Sequence, residues 1–547
     1  MQKKQSRFKG GINSFISRMK GFISITNRNL SLITLWLLFA GAAIYNIQNQ
    51  DWHKPHRLVK DDVQNYYIYS AAAVVYHNYK LEEVYSKLPS DIKSNLWLSR
   101  HKESGRYYSK MSMGMAMAYA PFTAFAHYVL VPLMNYPADG YSPPYKIGLL
   151  MSALCFFLFG LWHLRKILLK YFSEHVVALT LIVIAFGTNI TWYISSEATM
   201  SHVYSFALVV YLYRLIERWI AKPTIGLTVL TGLIFGLVVL IRPTNIMFLV
   251  LFFTGSNFIE RLRFLLKNYA RLILMMSAFL LVWAPQLIFW KWVSGDWFLY
   301  TYNDEGFFWN NPQIISSLLS YRKGWLVYTP LMAMIFVGLP FLWIKYRGLF
   351  WQVITVLILA TYINSSWWCW WFGGSFGNRS YIDIYGIMAL AIAAFFQAVA
   401  SLKKNWLNIA GTLVLAAFVS LNLFQTWQYR MGLIHYISET KVTYWKNFLK
   451  TDFQPGYFES LVNPDHNYGV KGIYYPVTEA TVEEKRLLKE RVETNQEYIK
   501  NYYLQKAALD KNVQNLINSG NYESKTDSIY SVWAINEYRY FVKRNLF

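Results

Sequence analysis

Eleven apolar runs dominate this sequence and restrict the folds that it can adopt. Each has about 17–23 residues, and a helix rising about 1.5 Å per residue then crosses the roughly 30 Å of hydrocarbon in a bilayer. Only 15% of the 547 residues are charged and 55% are hydrophobic, whereas a soluble protein carries about a quarter charged residues. We therefore expect an all-α polytopic membrane protein with about 11 transmembrane helices. The runs lie near 30–47, 145–164, 175–194, 202–220, 225–242, 244–260, 272–292, 325–344, 348–367, 381–400 and 405–427.

The basic residues set the expected topology. The formal net charge is +23, but the lysines and arginines fall mostly in short loops between apolar runs, which is the positive-inside pattern of a membrane protein. One ambiguous segment, Met111 to Pro132, decides the sides. If it does not cross, five basic loops join the N-terminus in the cytoplasm, and if it crosses, all five lie outside, against the rule. We therefore expect an interfacial or re-entrant helix there, on the outer face.

This topology divides the chain into domains. Residues 1–29 form a basic cytoplasmic N-terminus that favours a signal anchor over a cleaved signal peptide. Residues 30–427 form the transmembrane domain, whose first outer loop, 48–145, carries interfacial helices. Residues 428–547 are polar and tyrosine-rich, which predicts a small, mainly helical extracytoplasmic domain with a helix that begins at a capping box at Thr481. The expected location is a bacterial plasma membrane.

The two cysteines carry little information. Cys155 and Cys369 lie far apart and have no CxxC or His-Cys spacing. They predict neither a disulfide framework nor a recognisable metal site.

The most informative run lies in the first outer loop. Asp61 and Asp62 precede a tyrosine-rich amphipathic stretch that includes Tyr66 and Tyr67. Such a helix would lie along the membrane surface and hold the acids at the lipid–water boundary. A carboxylate at that depth reaches a lipid headgroup on one side and a soluble substrate on the other. The alternative is an ordinary solvated helix start, where capping and the helix dipole both favour Asp.

Other polar residues collect on the same predicted face. Polar groups at membrane depth are costly, so they mark functional sites by default. Anchoring to the interface or to phospholipid headgroups remains an alternative for each basic residue. The set consists of Lys110, Glu197, His202, Arg242, Asn245, Arg322, Lys323 and Arg379.

Such a set suits a long-chain anionic substrate that arrives from the outer leaflet. Cations would bind its phosphate, while a carboxylate acts as general base on an incoming hydroxyl. Sugar transfer outside the cytoplasm requires this arrangement, because polyprenyl-phosphate sugars replace nucleotide sugars there. The candidate phosphate-binding residues are Lys110, Arg242, Arg322, Lys323 and Arg379. The candidate substrate contacts are Tyr66, Tyr67 and Asn245.

At these residues the chain resembles the GT-C superfamily of integral-membrane glycosyltransferases, which includes protein O-mannosyltransferases and lipid A aminoarabinose transferases. That family places an acid in the first outer loop four residues before a tyrosine, as Asp62 and Tyr66 stand here. A second acid follows the third span, as Glu197 does. A lysine opens the second interfacial helix, as Lys110 does, although Met111-Ser112 replaces the family's prolines.

The resemblance covers about residues 1–430 and implies a GT-C-like fold. It implies a polyprenyl-phosphate sugar donor, a protein, lipid or glycan acceptor, and an inverting displacement with Asp62 as general base. Glu197 would position the acceptor or a cation, and Asp61 and His202 complete the candidate catalytic set. Some relatives use a divalent metal ion and others do not, so the metal remains open.

Two other functions remain open. A lipid-linked saccharide transporter or flippase would line its path with the same residues, but it predicts inverted repeats and paired broken helices, which the sequence does not show. A ligase-type transferase with a polyprenyl-diphosphate donor would need similar cations.

Overall fold

The computed structural model describes residues 29–54, 57–94 and 96–474. The predicted helix at Thr481 lies outside this part of the chain. The residues group into two compact units, Met1–Thr426 and Trp427–Phe547. Within the described part, regular strands are limited to an antiparallel hairpin of β1 (Leu98–Arg100) and β2 (Tyr107–Ser109). The predicted all-α character is therefore confirmed.

The helices follow one another through short connections. The N-terminal ones are α1 (Leu30–Asn49), α2 (Asp61–Val74), α3 (Leu81–Lys87), α4 (Ser90–Lys93), α5 (Gly114–Phe125), which runs through a π-helical turn into α6 (Val131–Met134), and α7 (Pro143–Leu168). The central ones are α8 (Glu174–Phe186), α9 (Ile190–Ser195), α10 (Ser201–Ala221), α11 (Ile225–Ile241), α12 (Phe258–Lys267) and α13 (Tyr269–Ser294). The later ones are α14 (Ile314–Leu319), α15 (Trp325–Tyr328), α16 (Met334–Lys345), α17 (Arg347–Ser366), α18 (Tyr385–Ser401) and α19 (Asn405–Arg430). Four 3₁₀ helices, Pro243–Phe252, Pro330–Ala333, Arg379–Ile384 and Phe458–Ser460, also belong to the described chain.

Seven described helices are long and apolar enough to cross a membrane by length and composition. This agrees with the predicted membrane protein, whereas the count of eleven spans and their orientation stay predictions. Gly114–Met134 is one of the seven, so its interfacial position also stays a prediction. The seven are Leu30–Asn49, Gly114–Met134, Pro143–Leu168, Tyr269–Ser294, Arg347–Ser366, Arg379–Ser401 and Ile409–Arg430.

Two predicted runs are not continuous α-helices. The run near 175–194 is divided between α8 and α9, and the run near 244–260 begins as a 3₁₀ helix at Pro243. Proline lacks the amide hydrogen of a helical residue and fixes its own backbone. Hydropathy detects such a run but not the geometry of its backbone.

Small residues allow helices α11 and α13 to pack closely. A Cβ atom on Gly232 would lie 2.3 Å from the carbonyl oxygen of Met275, and one on Gly236 would lie 2.8 Å from that of Phe279. Close backbone approach at small residues is the usual way in which membrane helices associate.

The substitution Gly232→Ala is expected to destabilise the protein by about 1–3 kcal/mol, because the added methyl group meets backbone and forces the two helices apart. Gly226, in the same helix, has no atom within 4 Å of the corresponding position, so Gly226→Ala is the matched control. Thermal unfolding in detergent measures both variants. Equal unfolding temperatures would mean that the α11–α13 contact yields without cost.

The start of α5 is tied to both of these helices. Gly114 packs against the backbone of Ile241, where an added Cβ would lie 2.4 Å from the amide nitrogen. The Ser112 hydroxyl donates to the Leu240 carbonyl, and the Met113 amide donates to Oε1 of Gln286 at 2.8 Å. This joint holds the segment after β2 against the end of α11.

The described part of the second unit contains two short helices, α20 (Lys441–Asn447) and α21 (His466–Gly469). The first begins at a capping box in which the side chains of Thr440 and Thr443 each accept from the other's backbone amide. The domain boundary near 428 and an extracytoplasmic position stay predictions.

Candidate active site

The start of α2 separates the two neighbouring acids. Asp61 has a left-handed φ of +47°, and its side chain is 62% exposed. The Asp62 side chain is only 17% exposed. Residues four apart share one face of a helix, so Asp62 and the buried Tyr66 point the same way. The structure therefore directs Asp62, and not Asp61, towards the interior.

Asp62 forms an ion pair with Arg379, with 3.0 Å between Oδ2 and Nη2. Arg379 begins a 3₁₀ helix, and the preceding Asn378 accepts from the Ser380 hydroxyl at 2.7 Å. The Asn378 amide also donates to the Trp370 carbonyl at 3.2 Å. These bonds fix the direction of the Arg379 side chain and bring together two residues that the sequence placed only on one face.

The glycine-rich loop before Arg379 is held from outside. Gly373 and Gly377 have φ values of +64° and +60°, which glycine adopts without strain. The Asn189 amide donates to the Phe376 carbonyl at 3.0 Å, and the buried Lys323 ammonium donates to the Ser375 carbonyl. Lys323 thus supports the loop in this structure, and its phosphate-binding role stays a prediction.

Arg322 is also buried, and its electrostatic neighbours include Cys369 and Tyr328. Burial lowers the pKa of its guanidinium to about 10, which leaves it charged at neutral pH.

A second buried ion pair lies nearby. Arg242 places Nε 3.2 Å from Oδ2 of Asp383 and Nη1 2.9 Å from Nδ1 of His202. A guanidinium only donates, so Nδ1 of His202 accepts and the imidazole is the neutral Nε2–H tautomer. The sequence reading missed Asp383, although an acid inside a predicted span, four residues after Arg379, is a signal of function.

Lys60 links the two remaining candidate acids. Its ammonium lies 3.7 Å from Oδ2 of Asp61 and 3.9 Å from Oε1 of Glu197. These are longer than the other ion pairs at the site, and Lys60 was not selected from the sequence. No residue pattern singles out one surface lysine beside two acids.

Lys110 is engaged by residues of a distant loop. Its ammonium pairs with Oε1 of Glu305 and lies 4.9 Å from the ring centre of Tyr302. The Trp368 indole donates to Oε2 of the same glutamate at 3.0 Å. Glu305 and Tyr302 were missed because their loop has no periodic pattern.

These pairs surround Tyr66. Burial, with the Asp62 carboxylate second, raises the pKa of the Tyr66 hydroxyl, and the charges of Arg242 and Arg379 act on the same group. Arg379 in turn interacts electrostatically with Glu197. Tyr66 therefore remains a neutral hydroxyl at the centre of a charged cluster. We call Asp62, Arg379, Glu197, Lys60, Arg242, Asp383, His202, Lys110 and Glu305 the ion-pair cluster.

Two candidate substrate contacts have other partners. The Tyr67 hydroxyl donates to the Gly140 carbonyl at 2.7 Å, on a face packed against Tyr119 and Tyr141. The buried Asn245 amide donates to the Ser205 hydroxyl at 2.8 Å. Both side chains hold helices together here, and contact with substrate stays a prediction for each.

The acids of the cluster do not fit a metal ion. Among residues 29–54, 57–94 and 96–474, no three His, Cys, Asp or Glu side chains group closely enough to hold one. Asp62, Asp383 and Glu305 each face a cation instead.

No family model matches the chain, and no curated protein matches it in sequence. Two solved structures are similar in chain path. The archaeal oligosaccharyltransferase AglB from Archaeoglobus fulgidus, in complex with an inhibitory peptide and a dolichol-phosphate, is 11% identical with a TM-score of 0.43. The apo oligosaccharyltransferase of the same organism is 11% identical with a TM-score of 0.41. Each match covers 83% of this chain and 61% of the other, so the chain spans about three fifths of their length.

Proposed function

We propose that this protein is a GT-C-type membrane glycosyltransferase that moves a sugar from a polyprenyl-phosphate donor to an acceptor on the outer face. The ion pair between Asp62 and Arg379 carries the proposal. A candidate base and a candidate phosphate ligand, chosen independently from opposite ends of the transmembrane domain, lie 3.0 Å apart. A glycosyl transfer needs both groups at the same carbon.

The proposed step is a single inverting displacement. The acceptor hydroxyl attacks the anomeric carbon, its proton passes to the Asp62 carboxylate, and the bond from that carbon to the phosphate oxygen breaks. The phosphodiester of the donor becomes a monoester with one more negative charge. Arg379 and Arg242 would stabilise that charge, which is the role in which fixed cations contribute most to catalysis.

The ion pairs describe how the donor would enter. Lys110, Arg242 and Arg379 each face a carboxylate, so their charges are balanced before any phosphate arrives. A donor phosphate would replace Asp62 as the partner of Arg379 and so release the carboxylate to accept a proton. The base would thus become available only when the donor is bound.

The experiment that tests this function is a transfer assay on the purified protein in lipid vesicles. It uses a panel of radiolabelled polyprenyl-phosphate sugars and a crude envelope fraction as acceptor. Movement of label onto acceptor would support a glycosyltransferase and identify its sugar. If label instead crosses the bilayer still attached to its lipid, and never reaches acceptor, the protein is a transporter and the proposal is wrong.

The contact between Lys110 and Glu305 gives a separate prediction. Glu305→Gln should lower the donor dissociation constant about two- to fivefold, since a partly exposed ion pair is worth roughly 0.2–1 kcal/mol and the phosphate would no longer compete with it. Binding of labelled donor to protein in nanodiscs measures this. Glu83→Gln, which breaks the exposed pair with Lys80 at 2.9 Å, is the control. Unchanged or weaker donor binding in Glu305→Gln would place Lys110 outside the phosphate site.

A further inference from the structure

A row of aromatic rings lies beside the ion-pair cluster. Tyr302 meets Trp367 edge to face at 5.7 Å between ring centres, and Trp367 meets Phe307 at 4.8 Å. Phe307 stacks on Trp309 at 4.8 Å with 6° between the planes, and Trp309 meets Tyr362 at 5.6 Å. We call these five residues the aromatic ridge.

Backbone hydrogen bonds fix the ridge in place. Residues 306–313 run beside the end of α17, where the Phe308 amide donates to the Ser366 carbonyl at 2.6 Å and the Trp368 amide donates to the Gly306 carbonyl at 3.0 Å. The Tyr362 hydroxyl donates to the Trp309 carbonyl at 2.9 Å. Because two segments hold the rings, a ligand meets a surface that is already ordered, which lowers the entropic cost of binding.

The two ends of the ridge differ in exposure. At the inner end, the ring of Tyr302 lies under the ammonium of Lys110, and its hydroxyl interacts electrostatically with Tyr66 and Asp62. At the outer end, Trp309 is 46% exposed and Tyr362 is 38% exposed. The ridge therefore leads from solvent to the candidate base.

The charge of this segment restricts what the ridge would bind. No lysine or arginine occurs between Lys291 and Arg322, while Asp304 and Glu305 are acidic. Amide side chains stand beside the rings instead, at Asn303, Asn310, Asn311 and Gln313. An anionic chain would be repelled here. A neutral polyhydroxylated chain presents C–H faces to aromatic rings and hydroxyls to amides, and so matches both features.

From this we infer that the aromatic ridge is an acceptor subsite for a neutral glycan chain, which would lie along the rings with its terminal hydroxyl at Asp62. The inference rests on the proposed function for the word acceptor only. Binding of a glycan to the ridge needs neither donor nor turnover.

The test is saturation-transfer NMR on the full-length protein in nanodiscs, with neutral gluco-, manno-, galacto- and N-acetylglucosamine oligosaccharides as probes and an uncharged peptide as comparison. At least one oligosaccharide series should bind to wild type. Trp309→Ala should weaken that binding about tenfold or more, the scale of one lost aromatic contact. Trp309→Phe, which keeps a ring, should retain most of it.

The matched control is Trp406→Ala, since Trp406 is 64% exposed and lies in α19, away from the ridge. It should bind like wild type. The inference is overturned if no oligosaccharide in the panel binds, if the peptide binds in their place, or if the two alanine variants behave alike. The last result would make Trp309 an ordinary aromatic residue of the membrane interface.

The outcomes also separate this inference from the proposed function. Oligosaccharide binding that depends on Trp309, in a protein that transfers no sugar, would leave the ridge as a glycan site and remove the transferase. Sugar transfer to an acceptor whose KM is the same in Trp309→Ala and wild type would do the reverse.

Discussion

Asp62→Asn is expected to lower the rate of sugar transfer by about 10²–10⁴-fold, the usual contribution of a general base. Asparagine has the shape of aspartate, and its carbonyl oxygen still accepts from Arg379, but it cannot take up a proton at neutral pH. The variant should therefore remain folded and bind donor. The measurement is the initial rate of label transfer in vesicles, together with thermal unfolding of the same preparation.

The neighbouring acid supplies the control for this variant. Asp61→Asn removes a carboxylate of the same charge one residue earlier, but that side chain points to solvent and contacts only Lys60 among the described ion pairs. Its transfer rate should stay within a few-fold of wild type. Retained activity in Asp62→Asn would remove Asp62 as the base, and equal losses in both variants would indicate that local structure and not proton transfer had been damaged.

The second large effect is expected at the buried pair of Arg242 and Asp383. Arg242→Gln should cost about 3–5 kcal/mol of stability, because it leaves a buried carboxylate without its cation. The double variant Arg242→Gln/Asp383→Asn should recover most of that stability, since neither charge remains. Donor affinity should not recover, and should stay about 10- to 100-fold below wild type, in line with the loss of a charged hydrogen bond to phosphate. Thermal unfolding and labelled-donor binding together separate the two effects.

A partly buried pair elsewhere in the first outer loop serves as the comparison. Lys54 and Asp51 lie 3.2 Å apart and belong to no part of the ion-pair cluster. Lys54→Gln/Asp51→Asn should leave donor affinity unchanged. If the Arg242 and Asp383 double variant also binds donor normally, Arg242 is an anchor that holds helices together and takes no part in phosphate binding.

Local patterns in the sequence predicted part of the site. Asp62 and Tyr66 stand one helical turn apart, so their common face follows from helix geometry alone. The breaks at Arg242 and Arg379 were visible because charges inside or beside apolar runs are costly. Such signals depend only on neighbours in the chain, and they located the correct segments without giving their partners.

The partners depend on how the helices pack, which no local pattern contains. Asp383 lies within a run that reads as an ordinary span, and Glu305 lies in a loop without periodicity, yet both face candidate phosphate ligands. Lys323 shows the opposite case. It reads as an anion ligand, but its ammonium donates to a backbone carbonyl of the glycine-rich loop, because the fold of that loop turns the carbonyl towards it.

The joint at the start of α5 has a consequence for natural variation in this protein. Ser112, Met113 and Gly114 attach the segment that carries Lys110 to the end of α11, directly before Arg242. The two cations therefore move as one piece, like the jaws of a caliper set to a single opening. A change in the apolar packing of α11, far from any charged group, would shift both jaws together. Variants of that remote core should consequently inherit altered lipid preference long before they lose the ability to fold.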